Sequence, residues 1–167
     1  MTSAIATLDQ GHPISFTFEE MLAYHGPGSP GGVAHAFKVL ERGLALLEPG
    51  GPPERRQIAV TTAFGGPGAR DGFELVTRAA TEGRYVVDPA LARPERGRVL
   101  ERFVFQLAYG DREVTLILRE GYVTEEFIDL ARSEQRSDDE ERRLALLKTE
   151  MAELLMSTPA DDVYDEG

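Results

Sequence analysis

Three places in this 167-residue chain hold side chains able to do chemistry. The first is the run His25-Gly26-Pro27-Gly28-Ser29-Pro30-Gly31-Gly32, which sets an imidazole close to a hydroxyl in a stretch that cannot sustain a helix. Its prolines remove amide donors and its glycines carry a large entropic cost. The second is Gly65-Gly66-Pro67-Gly68, followed closely by Arg70 and Asp71, and the third is Arg84. Both Gly/Pro segments lead into helical patterns. A helix start offers unpaired amides and partial positive charge, and glycine lets a ligand approach the backbone closely. The two segments are therefore expected to form two walls of an anion-binding cleft. Arg70 and Arg84 would present planar, bidentate charge to the anion. His25 is the candidate catalytic residue, as hydrogen-bond donor or general acid/base, and Ser29, Arg70, Asp71 and Arg84 are the candidate ligand-binding residues. Neither segment is a P-loop, because no Gly-x-x-x-x-Gly-Lys-Ser/Thr occurs.

The remaining histidines are read differently. His12 is expected to be solvated, and His35 falls on the polar side of its helix, which marks it as a surface or interface residue. The chain has no cysteine. That excludes a disulfide framework, a thiolate zinc site, a cysteine-ligated iron–sulfur cluster and a cysteine nucleophile. An all-protein metal site would need carboxylates beside His25 and His35, so no metal and no cofactor is expected. Ser29 has no oriented base visible in the sequence and is expected to serve as a helix N-cap.

Charge narrows the partners. The formal net charge is -11, with -7 of it from Glu134 onward. Binding to nucleic acid by displacing counterions needs clustered cations, so no nucleic-acid partner is expected. No apolar run approaches the roughly 18–20 residues of a membrane span. The first twenty residues have neither a basic nor a long apolar region, so a cytoplasmic protein without a membrane partner is expected. Among the basic residues only Lys38 and Lys148 are lysine.

These residues need elements to position them. Residues 1–15 lack periodicity and are expected to be a flexible arm. Thr17-Phe18-Glu19-Glu20 has capping-box spacing and starts a short helix that ends before the first Gly/Pro run. With Ser29 as N-cap and Pro30 at the first helical position, Val33, Phe37, Leu40, Leu44 and Leu47 fall on one face at 3.6-residue spacing. Gln57–Phe64 reads as a buried strand, and Asp71 with Glu74 as another capping signal. Arg84–Val87 is a short strand. Val99–Tyr109 and Glu113–Arg119 alternate around Gly110-Asp111, the pattern of a β-hairpin. Thr124–Arg132 is a short helix. Ser137-Asp138-Asp139-Glu140 starts a last helix whose seam, Leu144, Leu147, Met151 and Leu154, packs either on its own domain or on a partner subunit. Residues 158–167 are acidic and expected to be disordered. The fold class is α+β (mixed α/β): helices packed on a small sheet containing a C-terminal hairpin, plus an extra C-terminal helix.

His25-Gly26-Pro27-Gly28-Ser29-Pro30-Gly31 resembles the His-Gly-His-x-Cys-Pro-Gly signature of the FmdE family, named after the E subunit or operon protein of molybdenum formylmethanofuran dehydrogenase. Asp71-Gly72-Phe73-Glu74-Leu75-Val76-Thr77 is similar to that family's Asp-Ala-Ile-Gln-x-x-Thr helix start, and Thr81-Glu82-Gly83-Arg84 to its Thr-x-Gly-Lys turn. The resemblance covers about residues 16–133. It implies an FmdE-like domain over 16–133, with the amphipathic helix over 134–157 lying outside the resemblance, and a homodimer. It also implies a metal site, and here this chain departs. His25 remains, but Pro27 replaces the second histidine and Ser29 the cysteine, and the downstream cysteine positions around Gly66–Ala69 and Ala79–Ala80 are Gly or Ala. Proline has no ligand atom, and a neutral hydroxyl is a poor substitute for thiolate on a soft metal. The expectation is thus a degenerate metal site whose pocket, between the two Gly/Pro loops, binds a small anionic metabolite. A dimeric accessory or scaffold subunit without catalysis, and a metal-dependent enzyme retaining His25, stand as the alternatives.

Overall fold

The computed structural model describes residues 3–167. Its organising element is the helix α2 (Pro30–Leu47), because the apolar stripe Val33, Phe37, Leu40, Leu44 and Leu47 is buried along its whole length. The stripe lies on a five-stranded sheet built from β3 (Ile58–Thr62), β4 (Tyr85–Val87), β5 (Val104–Tyr109), β6 (Arg112–Leu118) and β7 (Tyr164–Glu166). The strand order is β4-β3-β5-β6-β7, and only the β3–β4 pair is parallel. A parallel pair needs a crossover, and α3 (Pro67–Thr77) supplies it. Strand alternation turns Ile58, Val60, Phe105, Leu107, Leu116 and Leu118 towards the core, and all six are buried. Gly43 lets α2 come this close, since a Cβ there would overlap the Leu107 side chain.

α3 and α5 (Asp138–Met156) pack against α2. α1 (Phe18–His25) packs against α2 and α3, and α4 (Glu125–Arg132) against α5. Three expected helix starts form as drawn. Thr17 with Glu20 and Ser137 with Glu140 make reciprocal capping boxes, and the Thr124 hydroxyl accepts from the Phe127 amide. The hairpin β5–β6 turns at Gly110-Asp111 with Gly110 at φ +62°. The class is the α+β one expected. No helix among the described residues is long and apolar enough to cross a membrane.

Several expectations are corrected. Of the flexible arm at 1–15, Met1 and Thr2 lie outside the described residues. Residues 4–15 belong to a hairpin, β1 (Ala4–Asp9) with β2 (His12–Thr17), that turns at Gln10-Gly11 with φ +52° and +82°. Two positive φ angles are what a two-residue hairpin turn of matching twist requires. The hairpin is tied down at that turn: the Gln10 and Gly11 amides donate to the Glu54 carboxylate at 3.1 and 2.8 Å, and Arg55 donates to Asp9 at 3.1 Å. Arg55 is itself buried, where its Nε donates to the Val76 carbonyl at 2.9 Å.

The acidic tail 158–167 is likewise ordered. It forms the short helix α6 (Ala160–Val163) and the edge strand β7, and Val163 and Tyr164 are fully buried. Two apolar residues outweigh four carboxylates because the acids stay outside, where Arg119 takes up Asp165 at 2.8 Å. The C-terminal seam packs on its own chain: Leu144, Leu147 and Met151 are buried, and Met151 meets Gly31 of α2. Leu154 leaves the seam. It is 44% exposed, and Leu155 takes the inward position.

Candidate functional site

The two Gly/Pro segments end up in direct contact. A Cβ on Gly32 would stand 3.0 Å from the Ala69 amide nitrogen, and a Cβ on Gly68 would overlap the Ser29 carbonyl oxygen. Glycine at both positions is therefore what lets the first turns of α2 and α3 touch. This corrects the expected geometry: the loops are not two walls with a ligand between them. They are one wall, shared, of a cleft that opens elsewhere.

That cleft has a volume of about 410 Å³. Ser29 and Gly32 from the first segment and Gly65, Gly66 and Gly68 from the second form one part of its lining. Phe64 and Phe103, stacked with ring centroids 4.7 Å apart, contribute an aromatic surface. Phe127 and Ile128 of α4 and Leu144 of α5 add to the apolar part. The polar part is cationic: Arg102, Arg132, Arg136 and Lys148 line the cleft, and the lining holds no Asp or Glu among the described residues. In a protein of net charge -11 this is a concentrated exception.

The four cations differ in freedom. Arg136 is engaged three times, with Glu141 at 2.9 Å and the Leu130 and Ser133 carbonyls at 2.9 and 2.8 Å, so it fixes the turn between α4 and α5. Arg132 reaches the Arg98 carbonyl at 3.4 Å and Glu101 at 3.9 Å. Lys148 donates to the Gly28 carbonyl at 3.1 Å and to the Ser29 hydroxyl at 3.4 Å, both neutral acceptors. Burial, reinforced by Arg136 and opposed by Glu141, holds the Lys148 ammonium below the ordinary lysine range. Arg102 is exposed, and its guanidinium has neither ion pair nor hydrogen bond among the described residues.

The helix starts at the cleft add to this field. α2 and α3 have no side-chain cap and no acid in the first turn, whereas α1, α4 and α5 have both. Ser29 sits at the expected N-cap position, but its hydroxyl does not cap; it accepts from Lys148 instead. The ends of α2 and α3 that meet the cleft thus keep their positive dipole uncompensated.

Of the expected site residues, Ser29 lines the cleft. His25, Arg70, Asp71 and Arg84 do not. His25 and Asp71 do come together: the imidazole Nδ1 donates to the Asp71 carboxylate at 2.8 Å. Because a carboxylate accepts only, the proton of this bond sits on Nδ1. Among the described residues Nε2 is buried without a partner, and it abuts Gly28, where a Cβ would stand 3.9 Å away. The pair joins the end of α1 to the first half of α3 and so clamps the two Gly/Pro segments together. Asp71 is not a helix cap, because α3 begins four residues earlier at Pro67. Arg70 is exposed and lies 3.7 Å from Asp71. Arg84 is corrected as a charge clamp. Its guanidinium donates to the Ile58 carbonyl, to the Thr77 carbonyl at 2.9 Å and to Glu82, so it pins the turn between α3 and β4.

As a metal centre the donor set does not fit. His25 and Asp71 supply two donors, and among the described residues no group of three His, Asp or Glu converges.

His35 is also corrected. It is not a surface residue but lies fully buried beneath the cleft, with its ring centroid 4.9 Å from that of Phe103. Nε2 contacts the Met151 sulfur at 3.2 Å and Nδ1 the Tyr164 hydroxyl at 2.7 Å. A thioether only accepts, so Nε2 carries the proton and the Tyr164 hydroxyl donates to Nδ1. Burial pushes the imidazole pKa down to about 3 and the Tyr164 phenol well above its usual value.

Sequence reasoning missed Arg102, Arg132, Arg136 and Lys148 because they come from three segments remote from the Gly/Pro runs. One signal was present: Lys148 falls on the same helical face as Leu144 and Met151, a lysine set into an apolar stripe. No protein-family model and no curated protein sequence matches the chain.

Proposed function

We propose that this protein is an FmdE-like domain that binds a small metabolite with an anionic head and an apolar body, and that the cleft between the joined Gly/Pro wall, α4 and α5 is the binding site. The observation that carries this reading is the lining itself: four cations, no carboxylate and stacked aromatic rings in an acidic protein. Small-molecule sites are mostly apolar, with a few polar groups that fix orientation. A carboxylate fits this division, its head meeting Arg102, Lys148 and the uncapped helix starts, its body resting on Phe64, which the buried Phe103 supports from behind. His25 and Asp71 then act as a clamp on the wall rather than as groups that touch the ligand. A cytoplasmic setting belongs to the same proposal.

The test compares an aryl carboxylate with its neutral amide by thermal unfolding. At a hundredfold excess over Kd, a site of this kind adds about 2.7 kcal/mol, or roughly 5–10 °C in Tm for a chain of this size. The acid is expected to stabilise and the amide not to. Arg102→Glu reverses the cation that has no partner among the described residues and is expected to remove most of the shift. Equal shifts for acid and amide, or for the parent and Arg102→Glu, overturn the reading.

A further inference from the structure

Lysine is rare in this chain, and its two occurrences are placed unlike the arginines. Lys38 is buried and paired with Glu41 at 3.0 Å. Lys148 lies in the cleft and has no carboxylate within ion-pair distance among the described residues. Arginine keeps its proton under all ordinary conditions, whereas lysine in a desolvated site gives it up and becomes a nucleophile. Lys148 is half-buried in the cleft, and that burial with the neighbouring Arg136, against Glu141, lowers its pKa towards the neutral amine. The Ser29 hydroxyl, 3.4 Å from Nζ, is placed to pass a proton.

We propose that Lys148 forms an imine with the keto carbon of an aryl 2-oxo acid whose carboxylate is held by Arg102. This rests on the anionic-ligand reading and adds the reacting group. The nitrogen lone pair of Lys148 adds to the carbonyl carbon, forming a C–N bond as the C=O π pair moves to oxygen. A proton transferred from nitrogen to that oxygen gives the carbinolamine. Ser29 then relays the remaining N–H proton to the hydroxyl, the C–O bond breaks with its pair leaving as water, and an electron pair on nitrogen closes C=N. No electrons are gained or lost overall, so no oxidant or reductant is needed. Phe64, partly exposed and backed by the buried Phe103 ring, takes the aryl ring, and Arg102 supplies the planar fork that a carboxylate matches.

The experiment incubates the full chain with phenylpyruvate and cyanoborohydride and reads intact mass and peptide map. One ligand equivalent is expected on Lys148, with no comparable labelling of Lys38 or the terminal amine. Lys148→Arg keeps the charge and is expected to lose the adduct completely, and Lys148→Met repeats the loss with a neutral chain of similar length. Phenyllactate, which lacks the carbonyl, is run in parallel by thermal unfolding. Absence of the adduct in the parent, or its persistence in Lys148→Arg, overturns the imine. If phenyllactate still stabilises the parent in that case, the anion site stands while the imine falls. If phenyllactate also fails, both fall.

Discussion

Acid should unfold this protein through His35 more steeply than its exposed charges predict. The imidazole is fully buried and its pKa falls from 6.5 to about 3. In the unfolded chain it takes up a proton below about pH 6.5, while in the native state it stays neutral until about pH 3. The native contribution is therefore complete above the unfolded pKa and is lost as pH falls towards the folded one. Each pKa unit corresponds to about 1.4 kcal/mol. Going from pH 7.5 to pH 4.5 should then cost about 3 kcal/mol from this residue alone, a large part of the ~5–15 kcal/mol that a domain usually has. The perturbation to set beside it is His35→Asn, whose amide can still accept from Tyr164 but cannot titrate. It should be less stable at neutral pH by about 1–3 kcal/mol, for lost packing and the lost contact with Met151. Urea unfolding at half-unit steps gives two stability curves. They are expected to converge as pH falls, the gap closing by up to about 1.4 kcal/mol per unit below pH 6.5. Parallel curves, or an NMR titration of the His35 ring with a midpoint near 6.5, would refute the buried neutral imidazole.

Two further outcomes test the packing that shapes the cleft. Gly68→Ala should destabilise by about 1–3 kcal/mol by overpacking, although helix propensity alone favours alanine by about 1 kcal/mol, because the new methyl meets the Ser29 carbonyl. Gly65→Ala, with nothing within 4 Å, should stay within about 0.5 kcal/mol. Equal urea midpoints for the two variants would mean that the Gly/Pro segments do not touch. Tyr164→Ala should lose about 3–5 kcal/mol, as aromatic deletions in a core do, and should expose the last residues to carboxypeptidase. An unchanged midpoint would show that the C-terminal strand contributes nothing to the fold.

Periodicity made the centre of the fold legible and left its ends dark. The stripe on α2 and the alternation of β5 and β6 repeat often enough for the pattern to exceed noise, and capping boxes at Thr17 and Ser137 placed two helix starts to the residue. The N-terminal hairpin is too short for such a signal, and what orders it is distant: Glu54 and Arg55, more than forty residues away. The tail misled because its composition is acidic, while its anchoring depends on two residues, Val163 and Tyr164, that meet a pocket no local pattern reveals. The same holds for His35. It stands off the apolar stripe of its own helix, and only the arrival of Met151 and Tyr164 from the far end of the chain encloses it.

The site shows a sharper division between what local sequence specifies and what only assembly creates. Glycine and proline announce where backbone must bend or come close, and the contact of Gly32 with Ala69 and of Gly68 with Ser29 is the consequence of those residue types. They do not announce which side chains will face the space beside that contact. Arg84 offers a planar, bidentate charge, yet the carbonyls of Ile58 and Thr77 consume its donors. Arg102 was unremarkable in sequence, yet it reaches the cleft without a partner among the described residues. An arginine's function depends on whether its donors are already spent, and that is decided by backbone groups whose positions are settled only when strands and helices dock. Lysine is different, because its rarity here is visible beforehand. In a chain that otherwise uses arginine, a lysine inside an apolar stripe trades a permanent charge for one that can be relinquished, and this trade is the reason the proposed imine is placed on Lys148.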